Sequence, residues 1–225
     1  MNLLDDRYAP ITDSIGFLET DFRQVVAADQ RWRASLGGYA GRPIGGVLSA
    51  LLDALLPLTG PQRRSVWVQT SGRWTAYFDN FVNGTDAFPP ISYLCQQIGC
   101  RGVTIGCRAG TGKRGASASF GLYGPQPTDF LNYVRTVAAV EDMGRWEWSA
   151  NGAVQPFEEV AQYLQRRVRD RLTRDMLDRY ATALGIRPFD ESFYGTSGYV
   201  VENTRIPRTV RTETLQQARA GHGPE

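Results

Sequence analysis

The sequence predicts an α+β domain with a mostly antiparallel sheet of about six strands flanked by helices. Between residues 65 and 149, short runs rich in β-branched and aromatic residues alternate with turn residues. Strands joined by such short turns pair in the antiparallel direction. Apolar residues at helical spacing lie before and after this region, which favours helices layered on the sheet.

The composition predicts one globular domain followed by a tail. The chain has 225 residues, of which 42% are apolar and 21% charged, so it can bury a sizeable core. No linker divides residues 1–202, which we expect to form a single domain. Residues 203–225 are polar, which is typical of a flexible C-terminal tail. The formal net charge of +2 gives no general attraction to nucleic acid.

The first third of the chain contains one predicted helix and one predicted hairpin. Apolar residues recur at helical spacing over 47–56 and predict an amphipathic helix. Gly45 and Gly46 precede this segment, and Pro57 follows it. Alternating runs at 65–69 and 74–78 predict a β-hairpin, and 83–86 form a turn. Candidate core residues in the region before them are Phe22, Val25, Val26 and Trp32.

The middle third predicts a helix and then four strands. Pro89 and Pro90 favour the first turn of a helix over 91–98, and Gly99 is a typical helix end. The strands that follow cover 102–107, 116–123, 131–140 and 145–149, and the last two form a hairpin around Met143 and Gly144.

The last third returns to helical spacing. Apolar residues over 160–168 recur on one helical face, and Thr173 is a suitable cap for a second helix that ends at Gly185. A final short strand is predicted over 198–202. Four arginines within 166–171 would be spread around a helix axis near several carboxylates, so we interpret them as a solvated, ion-paired face, not a nucleic-acid site.

Residue types exclude much common catalytic chemistry. The single histidine, His222, lies in the polar tail, and the single lysine, Lys113, lies in a glycine-rich turn. Serine triads, cysteine–histidine pairs and histidine metal sites all need imidazole in a folded core. The run from Gly106 to Arg114 lacks the spacing of a phosphate-binding loop. We therefore predict no cofactor, no metal and no enzyme activity.

Asp79 and Asp86 are the first candidate site residues. Strand alternation would place Tyr77 and Asp79 on a polar face of the hairpin, opposite a core face that contains Trp74. We favour hydrogen bonding of these carboxylates to turn amides. A partner-binding or ligand-binding surface and an acid/base or Mg²⁺-binding carboxylate pair are the alternatives.

Trp146 and Glu158 are the second candidates. Trp146 and Trp148 share a strand face, which favours core packing, although an exposed aromatic pair would suit contact with a sugar or a protein. Glu158 and Glu159 begin the predicted helix over 160–168, where the helix dipole favours their charge.

Six short segments resemble a group of uncharacterised bacterial α+β proteins, and the likeness covers about residues 20–195. These segments are Trp74 to Asn80, Gly99 to Gly102, Arg145 to Trp148, Gln155 to Glu158, Arg166 to Arg171 and Leu184 to Ile186. The strand pattern with Arg-Trp-Glu at 145–147, followed by Pro-Phe-Glu at 156–158 and a Tyr-x-x-Arg-Arg helix at 163–167, is similar to immunity proteins of bacterial toxin systems. The resemblance implies an α+β protein that binds and inhibits a partner. It assigns a role to no individual residue.

Three functions remain as hypotheses. The first is an immunity-type inhibitor that covers the active site of a toxin, with contact residues Tyr77, Asp79, Asp86, Trp146 and Glu158. The second is a histidine-independent enzyme or small-ligand-binding protein that uses Asp79, Asp86 and Glu158. The third is a structural or phage-related subunit. The N-terminus has no signal-peptide pattern, and the longest apolar stretch is too short to cross a bilayer, so we expect a cytoplasmic protein.

Overall fold

The chain forms one antiparallel sheet with helices on both faces, as seen in a computed structural model that describes residues 3–111, 114–207 and 209–220. The α+β prediction is confirmed, with nine strands in the main sheet instead of about six. The strands are β1 Ser14–Leu18, β2 Tyr39–Gly45, β3 Leu58–Thr59, β4 Arg64–Thr70, β5 Thr75–Asp79, β6 Gly102–Arg108, β7 Ser117–Tyr123, β8 Tyr133–Asp142, β9 Arg145–Gly152, β10 Tyr194–Asn203 and β11 Thr212–Glu213.

Five α-helices accompany the sheet in the described part of the chain. They are α1 Phe22–Leu36, α2 Leu48–Asp53, α3 Phe88–Ile98, α4 Arg174–Ala183 and α5 Leu215–Ala220. The strand order in the main sheet is β2-β10-β4-β5-β1-β6-β7-β8-β9, so β2 and β9 are its edges. A second, two-stranded ladder joins β11 to β3. Residues 212–220 of the predicted tail are therefore a strand and a helix, whereas residue 208, residues 221–225 with His222, and Lys113 lie outside the described residues.

Two strands and one helix near the N-terminus were not predicted. β1 lies in the middle of the sheet and is buried on both faces, so its sequence lacks the alternation that signals a strand. β2 contains Pro43, which is tolerated because β2 is an edge. α1 begins at its cap Asp21, whose side chain accepts a hydrogen bond from the Arg23 amide. The four predicted core residues of this region all lie on α1 and pack in the core.

The sheet separates two hydrophobic cores. The first core lies between the sheet and helices α2 and α4, and the second lies between the sheet and helices α1 and α3. Gly16 of β1 permits the close approach of α3, since a Cβ atom there would lie 2.6 Å from Cγ1 of Ile91. The hairpin β4–β5 is therefore covered on both faces, and its predicted polar face does not exist.

The predicted helix over 160–168 is also wrong. Two short 3₁₀ turns, Val160–Leu164 and Val168–Asp170, replace it, and Leu164 is 86% exposed. The segment is instead held by its polar side chains, because the Tyr163 hydroxyl binds both Glu158 and Tyr180. Within the arginine cluster, Arg169 pairs with Asp170 at 3.8 Å, while Arg166 and Arg167 are exposed. By contrast, Thr173 caps α4 as predicted, and the helix begins at Arg174.

No helix in the described part of the chain combines the length and the apolar character needed to cross a membrane.

Candidate binding groove

Asp79 binds turn amides, which was the interpretation we favoured. Its carboxylate oxygens accept hydrogen bonds from the Phe81 amide at 3.0 Å and the Asp86 amide at 2.9 Å. Asp79 is fully buried at the end of β5, while Asp86 is exposed at the start of the segment that leads to α3. Burial raises the pKa of Asp79 to about 7, although the two amides act in the opposite direction.

The raised pKa of Asp79 predicts a pH-dependent contribution to stability. Between about pH 4 and pH 7 the folded chain retains a proton on Asp79 that the unfolded chain has released, so this contribution is lost as the pH rises. The free energy of unfolding of wild type, relative to that of Asp79→Asn, should therefore be larger at pH 4 than at pH 7. Urea unfolding of both proteins at the two pH values measures this difference.

A wild-type advantage over Asp79→Asn that is equal at both pH values, or larger at pH 7, would contradict the assignment.

Tyr77 lies inside the second core and cannot contact a partner. Its side chain is fully buried, its ring centroid is 4.8 Å from that of Trp67, and its hydroxyl accepts a hydrogen bond from Gln62 at 2.7 Å. The prediction that Tyr77 and Asp79 form a contact surface is therefore wrong. The reason is that α1 covers the face of the hairpin that the sequence suggested was open.

Glu158 is the centre of a buried ionic network. It accepts hydrogen bonds from Arg135 Nη2 at 2.7 Å, from the Gln155 amide at 2.7 Å and from Tyr163 at 2.8 Å. The side chains of Arg135 and Glu158 are 4% and 0% exposed. Glu158 therefore attaches the segment after β9 to β8, and neither the predicted contact role nor the predicted helix-dipole role applies to it.

The three predicted site carboxylates do not share a pocket. Arg135 lies opposite Leu122 on the first-core face of the sheet, and Glu158 binds it there. Asp79 shares the other face with Tyr77. Four strand intervals separate β5 from β8, which amounts to about 19 Å at the usual strand spacing. The second hypothesis needed these groups within about 10 Å of one another, so this structure removes its basis.

The tryptophans of β9 pack mainly inward, as the core interpretation predicted. Trp146 and Trp148 are half-buried against the first core, and the Trp148 ring centroid is 4.9 Å from that of Tyr163. The Arg171 guanidinium lies 5.8 Å from the Trp148 ring. Trp146 keeps part of its surface exposed at the edge of the sheet.

A groove lies at the β8–β9 end of the sheet, where sequence reasoning placed no site. It has a volume of about 790 Å³. Its lining includes Asp129, Phe130, Tyr133, Thr136, Asn151 and Ala153. Within the described ranges 3–111, 114–207 and 209–220, no group of three or more potential ligands could hold a metal ion there or elsewhere.

An aromatic stack forms one wall of the groove. The Phe130 ring stacks on Tyr133 at 5.3 Å between centroids, and Tyr133 stacks on Phe88 of α3 at 5.2 Å. Phe130 is nevertheless 69% exposed, and the adjacent Leu131 is 55% exposed. The stack runs from the half-buried Phe88 on α3 to the exposed Phe130 ring, which gives the groove an apolar wall.

The loop that supplies Phe130 is fixed by hydrogen bonds. Asn132 is fully buried and donates to the carbonyl oxygens of Ser92 and Gly124, both at 3.0 Å. At the other side of the groove, Gly152 adopts a φ of 84°, and a Cβ atom there would lie 2.3 Å from the Val134 carbonyl oxygen. The groove is therefore formed by the folded chain before any partner binds.

One feature of the sequence points to the groove. Phe130 and Leu131 are adjacent apolar residues that follow a loop rich in proline and polar residues, from Pro125 to Asp129. An apolar pair in such a loop indicates either a core anchor or an exposed contact, and the sequence does not decide between them.

No protein-family model, curated protein or solved structure matches this chain.

Proposed function

We propose that the chain is a partner-binding protein that receives an apolar side chain of a protein partner in the groove beside Phe130. The observation that supports this most is the exposure of Phe130, which is 69% accessible although it belongs to a stack anchored on α3. Large aromatic side chains held rigidly at the surface are typical centres of binding energy in protein interfaces.

The surroundings of the groove also favour a protein partner. Leu131 and Val154 are 55% and 56% exposed, and they directly follow the groove residues Phe130 and Ala153 in the chain. Thr128, Asp129 and Asn151 add polar groups to the lining of the groove. Exposed apolar side chains beside polar groups that can form hydrogen bonds are typical of a protein interface.

The specific form that we propose is an immunity-type inhibitor, which neutralises a bacterial toxin by covering its active site in the cytoplasm. The sequence resemblance described above supports this form. The proposed contact surface consists of Asp129, Phe130 and Leu131. Tyr77, Asp79 and Glu158 do not belong to it, because their side chains are buried. Trp146 is excluded as well, because it lies five positions before Asn151 on β9 and so points to the opposite face of the sheet, where it packs against the first core. Asp86 stays as an exposed carboxylate near Phe88.

The test of this form begins with the gene beside the one for this protein. The two products should co-purify when expressed together, and the chain should protect cells from the toxicity of the neighbour. A neighbouring gene that encodes no toxin, together with no partner in a pull-down from the native cell, would overturn the proposal.

The substitution Phe130→Ala should weaken binding to that partner by about tenfold to a hundredfold, because it removes an exposed aromatic anchor. The free energy of unfolding should change little, since the ring is mostly exposed. Isothermal titration calorimetry with the co-purified partner measures the first effect, and urea unfolding measures the second.

Val47→Ala is the matched control. Val47 is 60% exposed and precedes α2, which packs on β2, β4 and β10 near the opposite end of the sheet. It should leave the affinity unchanged. Equal losses of affinity in both variants, or none in Phe130→Ala, would show that the partner binds elsewhere.

A small ligand is the second candidate for the groove, because a volume of about 790 Å³ lies within the range of ligand pockets. This candidate no longer involves Asp79, Asp86 and Glu158. A low-molecular-weight compound that raises the melting temperature of the wild type, but not of Phe130→Ala, would support it over a protein partner.

A further inference from the structure

The outer edge of β9 has hydrogen-bonding groups that the described chain does not use. The turn between β8 and β9 has two residues with positive φ, Met143 at 47° and Gly144 at 77°, and it joins the pair Asp142 and Arg145. In such a hairpin the pair next to the turn is hydrogen-bonded, and alternate residues then point their backbone groups outward. The residues with outward backbone groups are Trp146, Trp148 and Ala150. Their N–H and C=O groups form no backbone hydrogen bond within residues 3–111, 114–207 and 209–220.

β9 has few of the features that protect sheet edges, its charged residues being Arg145 and Glu147. The opposite edge strand, β2, contains Pro43, whose missing N–H hinders pairing with another strand. β9 spans eight residues and contains no proline, no lysine and no bulge against β8. The segment after β9 packs on the first-core face, where Tyr163 contacts Trp148, and makes no backbone hydrogen bond to this edge.

We propose that β9 pairs in the antiparallel direction with β9 of a second copy of this chain, around a two-fold axis at Trp148. The two main sheets then become one continuous sheet. In this register the three outward residues of each strand face each other, and the pairs form about six backbone hydrogen bonds.

The side chains of β9 are complementary to themselves in this register. Glu147 faces Ser149 of the second copy, and Arg145 faces Asn151, so that each charged group meets a neutral hydrogen-bonding group. On the other face the large Trp146 meets the small Ala150. A two-fold axis at Glu147 would place two carboxylates directly opposite each other, which is destabilising. An axis nearer the end of β9 would shorten the overlap.

The same register also brings the second copy to the groove. Asn151, which lines the groove, lies opposite Arg145 of the second copy. The hairpin tip of the second copy, with Met143, comes near Ala153. Met143 is 96% exposed in the single chain, so pairing would bury apolar surface that has no cover within the described residues. The inference does not rest on the proposed function, because it concerns only the edge and its own sequence.

Ser149 provides a matched pair of variants for the test. Ser149 and Glu147 are both exposed and lie on the open face of β9. Ser149→Lys places a positive charge opposite Glu147 of the second copy, and Ser149→Glu places a negative charge there. Each contact occurs twice in the dimer. We expect the dimer dissociation constant of Ser149→Lys to be about tenfold or more below that of Ser149→Glu, with Ser149→Gln between them.

Sedimentation equilibrium of the full chain over a range of concentrations measures these constants. A second variant, Ala150→Pro, removes an outward N–H without removing a bond to β8, and it should dissociate the dimer. Its melting temperature should stay close to that of wild type at a protein concentration low enough for both chains to be monomeric. If Ala150→Pro fails to fold, the Ser149 variants still decide the question.

Two outcomes would overturn the proposal. One is a wild-type chain that is monomeric up to about 1 mM. The other is a dimer whose dissociation constant is the same in Ser149→Lys and Ser149→Glu, since that dimer would use another surface. A dimer that dissociates with Phe130→Ala but ignores the Ser149 variants would locate that surface at the groove. Neither outcome depends on whether a toxin partner exists.

Discussion

Replacing Glu158 with alanine should lower the free energy of unfolding by about 3–5 kcal/mol, the usual cost of leaving one member of a buried ion pair without its partner. Arg135 is 4% exposed and would keep its charge inside the protein. The Gln155 amide and the Tyr163 hydroxyl would lose their acceptor as well. Urea unfolding followed by tryptophan fluorescence measures the loss, because Trp148 lies beside this network.

Glu159 is the matched control for this prediction. It is the next residue and also pairs with an arginine, Arg179, at 2.6 Å, but both side chains are well exposed. Glu159→Ala should therefore cost only about 0–1 kcal/mol. A double variant, Arg135→Met with Glu158→Leu, should recover much of the stability, because it removes both buried charges together. If Glu158→Ala and Glu159→Ala cost the same, Glu158 is not buried as the structure describes.

Replacing Trp74 with alanine should lower the free energy of unfolding by about 3–5 kcal/mol, the range measured for large aromatic residues in well-packed cores. Trp74 is 1% exposed at the start of β5, and its indole N–H donates to the Leu184 carbonyl oxygen at 2.9 Å. That bond joins the sheet to the C-terminal end of α4. The expected loss therefore combines a cavity in the first core with a broken link between two elements.

Trp74→Phe separates the two contributions. Phenylalanine keeps most of the apolar volume but cannot donate to Leu184, so we expect a loss of about 1–3 kcal/mol, the cost of a buried acceptor without its donor. Chemical unfolding of both variants under the same conditions gives the comparison. A loss below about 1 kcal/mol in Trp74→Ala would show that the first core is loosely packed at this position.

Features set by neighbouring residues could be read from the sequence. The proline pair at 89 and 90 and Gly99 predicted α3, and Thr173 predicted the start of α4, because capping and turn chemistry act within a few residues. The hairpins β4–β5 and β8–β9 followed from alternation and short turns. The hydrogen bonds from turn amides to Asp79 also span only seven residues or fewer.

Features set by distant parts of the chain could not be read in this way. β1 was missed because burial on both faces removes the alternating pattern that marks a strand. Tyr77 was assigned to a surface because its cover, α1, begins more than fifty residues earlier in the chain. Glu158 was assigned to a helix start, whereas its partner Arg135 lies on a strand twenty-three residues away.

The sequence by itself therefore determined the fold class, the local starts and ends of several elements, and the absence of imidazole from residues 1–221. The tertiary structure alone decided which polar groups are buried and which aromatic residues reach the solvent. The physical reason is that accessibility depends on which helix lies over which strand. The groove beside Phe130 shows this most directly, because residues 128–136 and 151–153 meet there only through the pairing of β8 with β9.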